Sequence, residues 1–487
     1  MEIKPSYEKL FVGGDLSGIQ KFLYNITSRK AAVSLKGRSF YLRQFMDNAC
    51  NMMTAAAHEL DAKTEVIYSS GGKFYFIADN RAGVVDAIEQ CAKELEQSLW
   101  HDHKGLLGLN VSSEPFTEHS DGTVDVDGKE HQPSGMLWRF VNASFNVQKN
   151  QKFKNLLVNQ YQDFFQPIAV GAKPKVCAVS GIESDDCVPM DFDEEGKLFV
   201  LPSVKQQIEL GEALRNQQHF RTFEEYAGDS YLGVLRMDVD GLGKRFIDGF
   251  RSIKDYQAFS KRLVDFFEKE TEQIQKEEEF RKYLNIIYAG GDDLFVVGRW
   301  DKVIDYAERI HKEVEVRFKN DGISISGGMV VMKPKYPISK AAEESGRAEE
   351  QAKDFRDGEK NAFTFLGTSV SWKDEFAYVK SYQMQFVSLV KDYEMSKSIL
   401  HKIMLYAEIA ESNKRRRKEG KTEDFSYIWH ISYYLTRYMK RNDVKKEVCD
   451  FCKILRDHEL SGAKGRNLQL LALAARWAEL LLRDIKQ

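Results

Sequence analysis

One apolar stretch in the second half of the chain is interrupted by two glycines followed by two aspartates. Leu284–Ala289 and Leu294–Gly298 are predicted strands, and Gly290-Gly291-Asp292-Asp293 lies between them. A Gly-Gly pair supplies the positive φ that a tight hairpin turn needs. Two adjacent carboxylates repel each other and persist best where a divalent cation such as Mg²⁺ neutralises them. The segment therefore predicts a metal-binding β-hairpin, although glycine-aspartate turns are also common on ordinary surfaces.

A second pair of acidic residues, Asp238 and Asp240, ends the predicted strand that precedes this hairpin and is followed by a glycine-rich helix start. Palm-type nucleotidyltransferases use this order: one carboxylate on the first strand and others on the adjacent hairpin bind two metal ions against a triphosphate. Asp238, Asp292 and Asp293 are therefore the candidate catalytic residues and metal ligands. The candidate nucleotide-binding residues beside them are Asp240, Gly290 and Gly291. The alternative is a solvated turn together with an aspartate N-cap.

The pattern occurs a second time near the N-terminus, where Leu10–Phe22 mirrors Val234–Phe246 and Val66–Ile77 mirrors the later hairpin. Repetition of a whole supersecondary unit predicts a repeated domain, so we expect two palm domains in one chain.

The first copy lacks most of the acidic residues. In the sequence alignment Ser17 takes the place of Asp240, and Lys73 and Phe74 take the places of Asp292 and Asp293. A lysine at the hairpin tip could meet a phosphate instead of a metal. The first palm is thus either a nucleotide-binding or acceptor site or a purely structural duplicate. Its candidate nucleotide-binding residues are Ser69, Ser70, Gly71, Gly72 and Lys73.

The repeat sets the predicted fold class, an α+β protein with two ferredoxin-like palm domains of βαββαβ order. The predicted domains are a first palm at residues 1–115, a mixed linker domain at 116–228, a second palm at 229–369 and a C-terminal helical bundle at 370–487.

Lys353 and Lys360 follow a strand and a helix that would flank the active site. Both are therefore candidates for contacting the triphosphate, although exposed lysines on helices are often only solvated.

The linker domain contains a degenerate zinc module. Cys177 and Cys187 each begin a segment like a zinc knuckle, but Ser180 and Met190 stand where the second cysteine of each pair would close it. A structural zinc ion needs four ligands, so no zinc is expected.

Composition limits the environment and the partners. The 487-residue chain has no long apolar run and no apolar signal-peptide core, so we expect a cytoplasmic protein without a membrane partner. Its net charge is only −3, so any contact with RNA depends on local basic patches. The segment 413–418 is one, predicted as a loop between helices that could meet RNA phosphates or an acidic partner, or simply be solvated.

Several of these motifs together resemble the large subunit of type III CRISPR effector complexes, in its Csm-like form. They are Gly14–Phe22, Lys36–Leu42, the degenerate hairpin Gly71–Phe74 and the intact hairpin at Gly290–Asp293. The pairing of a degenerate palm with an intact one makes the resemblance specific.

The resemblance implies a metal-dependent nucleotidyltransferase that joins ATP into cyclic oligoadenylate for antiviral defence when its complex binds a target RNA. Asp238, Asp292 and Asp293 would hold Mg²⁺ or Mn²⁺. The implied partners are the guide crRNA, sister subunits of the complex, target RNA and ATP. Two alternatives remain open: conjugation of ATP to another small molecule such as S-adenosylmethionine, and a non-catalytic scaffold.

Many members of that family begin with a histidine-aspartate nuclease domain. Here the first palm strand begins close to Met1, so DNA cleavage by such a domain is not expected. His101-Asp102-His103 contains a His-Asp pair, but it is predicted in a loop without partner ligands, and we expect no metal there.

Overall fold

A computed structural model of the protein describes residues 7–27, 29–131, 135–159, 161, 175–192, 196–459 and 465–484. The chain divides into two units. The first contains residues 1–228, 232–324 and 332–344, and the second contains residues 229–231, 325–331 and 345–487. The four-domain division expected from the sequence stays a prediction.

The first unit begins with an antiparallel sheet in the order β2-β3-β1-β4-β5-β6. Its strands are β1 (Lys9–Ser17), β2 (Thr64–Ser70), β3 (Lys73–Asp79), β4 (Gly108–Glu118), β5 (Val124–Val126) and β6 (Lys129–His131). Helices α1 (Ile19–Tyr24) and α2 (Ala31–His58) connect β1 to β2, and α3 (Val84–His103) connects β3 to β4. The first four strands and these helices have the βαββαβ order of a ferredoxin-like fold, as the sequence predicts.

Both faces of this sheet are covered. On one face, Val12 and Phe76 are fully buried against Met46 of α2 and Leu99 of α3. On the other face, the ring of Phe11 contacts that of Trp138 in α4 (Met136–Lys149), 4.6 Å between centroids. Two-sided burial explains why β1 and β3 are apolar almost throughout rather than alternating with polar residues.

The segment that follows contains α5 (Lys154–Asn159), the hairpin β7 (Val188–Asp191) and β8 (Lys197–Val200), α6 (Pro202–Gln218) and α7 (Phe223–Ala227). Cys177 and Cys187 are both buried, and neither forms a disulfide. Burial raises the pKa of the Cys187 thiol, with the nearby Cys177 adding to the effect. A neutral thiol is a poor zinc ligand, and the expectation of no zinc stays a prediction.

The second copy of the strand pattern follows the same plan. Its elements are β9 (Leu232–Asp240), α8 (Leu242–Asp248), α9 (Ile253–Asp265), a π-helical turn (Phe266–Glu270), α10 (Thr271–Gln275), β10 (Leu284–Gly290), β11 (Asp293–Arg299), α11 (Trp300–Arg317) and a 3₁₀ turn (Lys319–Asp321). The strand order β10-β11-β9 matches β2-β3-β1. Each hairpin even has a register shift at the same place, before Tyr68 in one copy and before Tyr288 in the other.

The second unit contains most of β12 (Ser324–Met332), which pairs in parallel with β13 (Ala362–Phe365), and β13 pairs antiparallel with β14 (Thr368–Ser371). Helix α12 (Ile338–Lys353) begins in the first unit and ends in the second. The later helices are α13 (Glu375–Lys391), α14 (Ser398–Lys418), α15 (Ser426–Met439), α16 (Lys446–Ile454) and α17 (Gly465–Asp484). None of the helices described is both long and apolar enough to cross a bilayer.

The prediction of a loop at residues 413–418 is wrong, because this segment is the last part of α14. Arginine and lysine are good helix formers. Cations in the final turn are also favoured by the partial negative charge at a helix C-terminus.

Candidate active site

The hairpin that contains Asp292 and Asp293 has a two-residue turn, but not at the glycine pair. Gly290 pairs with Asp293, so the turn consists of Gly291 and Asp292, and Gly290 belongs to β10. Gly291 has φ +67°, the left-handed conformation that favours glycine. The turn is therefore shifted by one residue from the predicted position.

The sheet brings the three candidate ligands together. Asp293 of β11 lies directly across from Asp238 of β9. Asp292 lies in the turn beside them, where its carbonyl oxygen accepts a hydrogen bond from the Val239 N–H (3.2 Å). One carboxylate oxygen from each aspartate lies within 4.8 Å of the others, and all three residues are partly exposed.

This donor set fits a divalent cation. Three carboxylates at this spacing repel one another, and hard oxygen donors are the ligands that Mg²⁺ and Mn²⁺ prefer. Among the residues that the structure describes, no other group of three acidic, histidine or cysteine side chains is arranged to hold a metal.

Asp240 is not a member of this group. Its side chain is buried at the end of β9, and Oδ2 accepts a hydrogen bond from the Ser324 hydroxyl (2.8 Å). The structure thus gives Asp240 a contact that supports the end of the strand. Its proposed contact with a nucleotide stays a prediction.

The register of the first palm corrects the alignment made from the sequence. Lys73 lies directly across from Asp15, as Asp293 lies across from Asp238. Lys73 is therefore the counterpart of Asp293, and Gly72 is the counterpart of Asp292.

Phe74, which the sequence alignment matched with Asp293, is a fully buried core residue. The error has a simple cause. The first turn is Gly71-Gly72, which follows Ser70, whereas in the second hairpin the first glycine still belongs to the strand. Aligning the two glycine pairs therefore shifts the alignment by one residue.

In the first palm, two lysines lie beside Asp15, which is the counterpart of Asp238. Asp15 is 4% exposed, and its carboxylate oxygens lie 2.9 Å from Lys149 Nζ and 4.0 Å from Lys73 Nζ. Two ammonium groups thus supply the positive charge that a cation would supply in the second palm. The predicted contact of Lys73 with a phosphate remains untested.

The two hairpin tips touch each other. A Cβ placed on Gly71 would lie 2.8 Å from Gly291 Cα, and a Cβ on Gly291 would lie 3.1 Å from Gly71 Cα. The Ser70 hydroxyl accepts a hydrogen bond from the Gly291 N–H (2.9 Å), whereas the Ser69 hydroxyl donates to Asp47 (3.1 Å). Glycine is needed at both tips because the two backbones are in contact.

A cavity of about 300 Å³ lies beside the touching tips. That volume is at the lower end of the range for small-molecule sites. Its walls include Lys36, Arg43, Ser70, Glu268, Glu272 and Gly290. Lys36, Arg43, Glu268 and Glu272 were missed by the sequence analysis as possible site residues. Lys36 lies in a motif that the family resemblance includes, but Glu268 has no local sequence signal.

Lys36 has an unusual environment. Its ammonium donates to the Ile286 carbonyl (2.7 Å). Burial lowers its pKa to about 8, an effect that Glu272 opposes and that Arg43 and Lys276 increase.

We expect Lys36→Met to remove a pH dependence of stability. Because the folded-state pKa of Lys36 is about 8 against an ordinary 10.5, the unfolded chain binds more protons in this window. The stability of the wild type should therefore rise, relative to the variant, as the pH increases from about 8 to 10.5. Urea unfolding at several pH values would measure this difference. Lys93→Met, at an exposed site, is the control, and parallel curves for wild type and Lys36→Met would contradict the assignment.

The remaining candidates lie elsewhere. Lys353 and Lys360 belong to the second unit, where Lys353 Nζ lies 2.7 Å from Glu349 Oε1. Their contacts with a triphosphate stay predictions.

His101-Asp102-His103 ends α3 rather than lying in a loop, which corrects that expectation. His103 is buried and hydrogen-bonded to the Tyr41 hydroxyl (2.7 Å), and burial lowers its pKa to about 4. A neutral, buried histidine of this kind supports the core.

Two protein-family models match the chain. The model for the second palm domain of Cas10/Cmr2 matches residues 231–364, and the model for Csm1 subunit domain B matches residues 8–169. A relative from Enterococcus italicus, named a CRISPR system single-strand-specific deoxyribonuclease Cas10/Csm1 (subtype III-A), is 27% identical over 81% of this chain. The chain spans 59% of the length of that relative.

Solved structures of a Csm1-Csm4 cassette show the same fold. The cassette in complex with one ATP has a TM-score of 0.66, and the cassette in complex with cA4 has a TM-score of 0.65. Each is 18% identical to this chain, over 96% of this chain and 70% of that one. The family matches cover both palms, and the relatives and solved structures extend the likeness over most of the chain. The chain belongs to the Cas10/Csm1 family, the large subunits of type III-A CRISPR systems.

Proposed function

We propose that this chain is a nucleotidyltransferase that joins ATP into cyclic oligoadenylate as part of a type III CRISPR effector complex, in response to target RNA. The observation that carries the proposal is the cluster of Asp238, Asp292 and Asp293 on adjacent strands and their turn, with the tip of a second palm against it. A solved relative of the same fold has been crystallised with ATP and with cA4, which supports this substrate and product.

The three aspartates would hold two divalent cations, Mg²⁺ or Mn²⁺. Bound there, the cations supply Lewis-acid activation of a 3′-hydroxyl and neutralise charge on the triphosphate that it attacks. The chain itself fixes the ligand positions, because Asp238 and Asp293 stand on paired strands and the backbone of Asp292 is tied to β9. The bond formed joins the 3′-oxygen to an α-phosphorus, and pyrophosphate leaves.

Contact with RNA is supported by the second unit. Residues 413–446 contain eleven lysines and arginines against four aspartates and glutamates. Phe425, Trp429 and Tyr433 form an exposed stripe beside them, each more than half exposed. Basic groups with interleaved aromatic side chains suit single-stranded nucleic acid, because phosphates attract the former and bases stack on the latter. We propose that guide or target RNA, held with sister subunits of the complex, meets this surface.

Neither alternative has an observation in its favour. A scaffold would not need three carboxylates arranged for a cation. Conjugation of ATP to S-adenosylmethionine would need an acceptor site for the second molecule, whereas the solved structures of similar fold hold ATP and cA4.

The test is ATP turnover by the chain assembled with its guide RNA and sister subunits, with Mg²⁺ or Mn²⁺ and with matching or scrambled target RNA. We expect cyclic oligoadenylate, identified by mass spectrometry, only with matching RNA and a divalent cation. No ATP consumption under any of these conditions would reject the proposal. Consumption that depends on added S-adenosylmethionine would favour conjugation.

A further inference from the structure

We infer that the first palm acts as a positioning element for the second: the Ser70 hydroxyl, oriented by Glu268 and Arg43, holds the metal-binding turn in the conformation that aligns Asp292 with Asp238 and Asp293. The inference deepens the proposed function and rests on it for the reaction. Its first consequence, metal affinity, can be measured without any reaction.

The Ser70 hydroxyl is an acceptor toward the second hairpin and a donor toward Glu268. Ser70 Oγ accepts from the Gly291 N–H at 2.9 Å in a buried contact. A hydroxyl has one hydrogen, and Ser70 donates it to Glu268 Oε1 at 2.6 Å. The other carboxylate oxygen of Glu268 forms an ion pair with Arg43 of α2. The orientation of the hydroxyl is therefore fixed by a carboxylate that is itself held.

The turn needs support from outside its hairpin. The β10–β11 pairing stops at Gly290 and Asp293, so neither turn residue is held by it. Asp292 is tied through its carbonyl oxygen to Val239 of β9. Gly291 is tied through its N–H to Ser70. One turn residue is thus fixed by its own palm and the other by the first palm.

The contact is one-sided because of the register. Ser70 pairs with Lys73 as Gly290 pairs with Asp293, so Ser70 and Gly290 are counterparts in the two copies. Gly290 has no side chain and offers no equivalent hydroxyl to the first hairpin. The palm that lacks most of the carboxylates provides the supporting group, and the palm that has all three receives it.

Groups that orient metal ligands from outside the ligand set commonly change metal affinity by about 10- to 100-fold when removed. We therefore expect Ser70→Ala to weaken Mn²⁺ binding by about that factor, measured by electron paramagnetic resonance titration of the folded chain. In the assembled complex kcat for ATP should fall more than KM rises, because the alignment of the ligands is lost rather than a contact with ATP.

Two further variants separate the hydroxyl from the shape of the side chain. Ser70→Thr keeps a hydroxyl, and Ser70→Val has the shape of that threonine without the hydroxyl. We therefore expect the threonine variant to bind Mn²⁺ more tightly than the valine variant. Ser17→Ala, which removes a first-palm hydroxyl that donates to the Gly108 carbonyl (2.9 Å), is the control and should leave Mn²⁺ affinity unchanged.

The outcomes are distinct. Wild-type Mn²⁺ affinity in folded Ser70→Ala, or equal affinity in the threonine and valine variants, would overturn the inference. If the wild type binds Mn²⁺ and Ser70→Ala weakens that binding, but neither the wild type nor any variant makes oligoadenylate, then the proposed function fails while the positioning role stands.

Discussion

Replacing Asp293 by asparagine should lower the rate of oligoadenylate synthesis at least about a hundredfold and weaken Mn²⁺ binding. Asp293 lies across from Asp238, and its carboxylate lies within 4.8 Å of both other aspartates. Asparagine has nearly the same shape, but it removes one negative charge and replaces an accepting oxygen by a donating NH₂ group. The loss is thus one of charge and ligand atoms, with little change in packing. Product formation and Mn²⁺ titration would measure the two effects.

Asp15→Asn is the matched control, because Asp15 holds the place of Asp238 in the first palm. Its carboxylate is already met by Lys73 and Lys149, so the substitution removes no ligand of a cation. Mn²⁺ affinity should therefore equal that of the wild type. Near-normal synthesis by Asp293→Asn, or an equal loss in both variants, would place the chemistry elsewhere.

The sequence was sufficient to predict the strands and their order in the first palm. Apolar runs broken by glycine turns, with helical segments between them, lead to βαββαβ in each copy because few other topologies fit that order. The grouping of Asp238 with Asp292 and Asp293 also follows, since a strand and the hairpin beside it bring their ends together.

The register could not be predicted in the same way. A glycine pair marks a turn, but it does not say whether the turn includes both glycines or begins at the second. The sequence alignment therefore matched Lys73 with Asp292, whereas the register of the strands matches it with Asp293. With the correct register, its ammonium faces Asp15, so the first palm has a cationic side chain where the second palm has the carboxylate of Asp293.

Contacts between distant segments were also invisible to local patterns. Ser70 and Gly291 are 221 positions apart, and Ser70 and Glu268 are 198 apart. Their hydrogen bonds exist only because the two hairpin tips pack against each other.

The role of Arg38, in the motif at Lys36–Leu42, was likewise not predictable from the local sequence. Its side chain is buried, and the guanidinium donates to the Phe22 carbonyl and to Gln207 of α6. That residue joins two helices of the core.

The glycine beside Arg38 leads to the second prediction. Gly37→Ala should destabilise the protein by about 3 kcal/mol or more, because a Cβ there would lie 1.8 Å from the backbone carbonyl oxygen of Gln207. Gly211 of α6 faces α2 in the same way, with its Cβ position 2.1 Å from the Val33 carbonyl oxygen. Backbone atoms cannot move aside as a flexible side chain can, so the two helices must separate. The free energy of unfolding in urea would measure the cost.

Gly243→Ala isolates this steric effect from the change in helix propensity. Gly243 also lies in a helix, α8, but a Cβ there would meet no atom within 4 Å. Alanine favours a helix over glycine by up to about 1 kcal/mol, so this variant should be as stable as the wild type or slightly more stable. The two substitutions add the same methyl group, and the difference between them measures the contact of α2 with α6. Equal stabilities would mean that the helices are not packed backbone to backbone at Gly37.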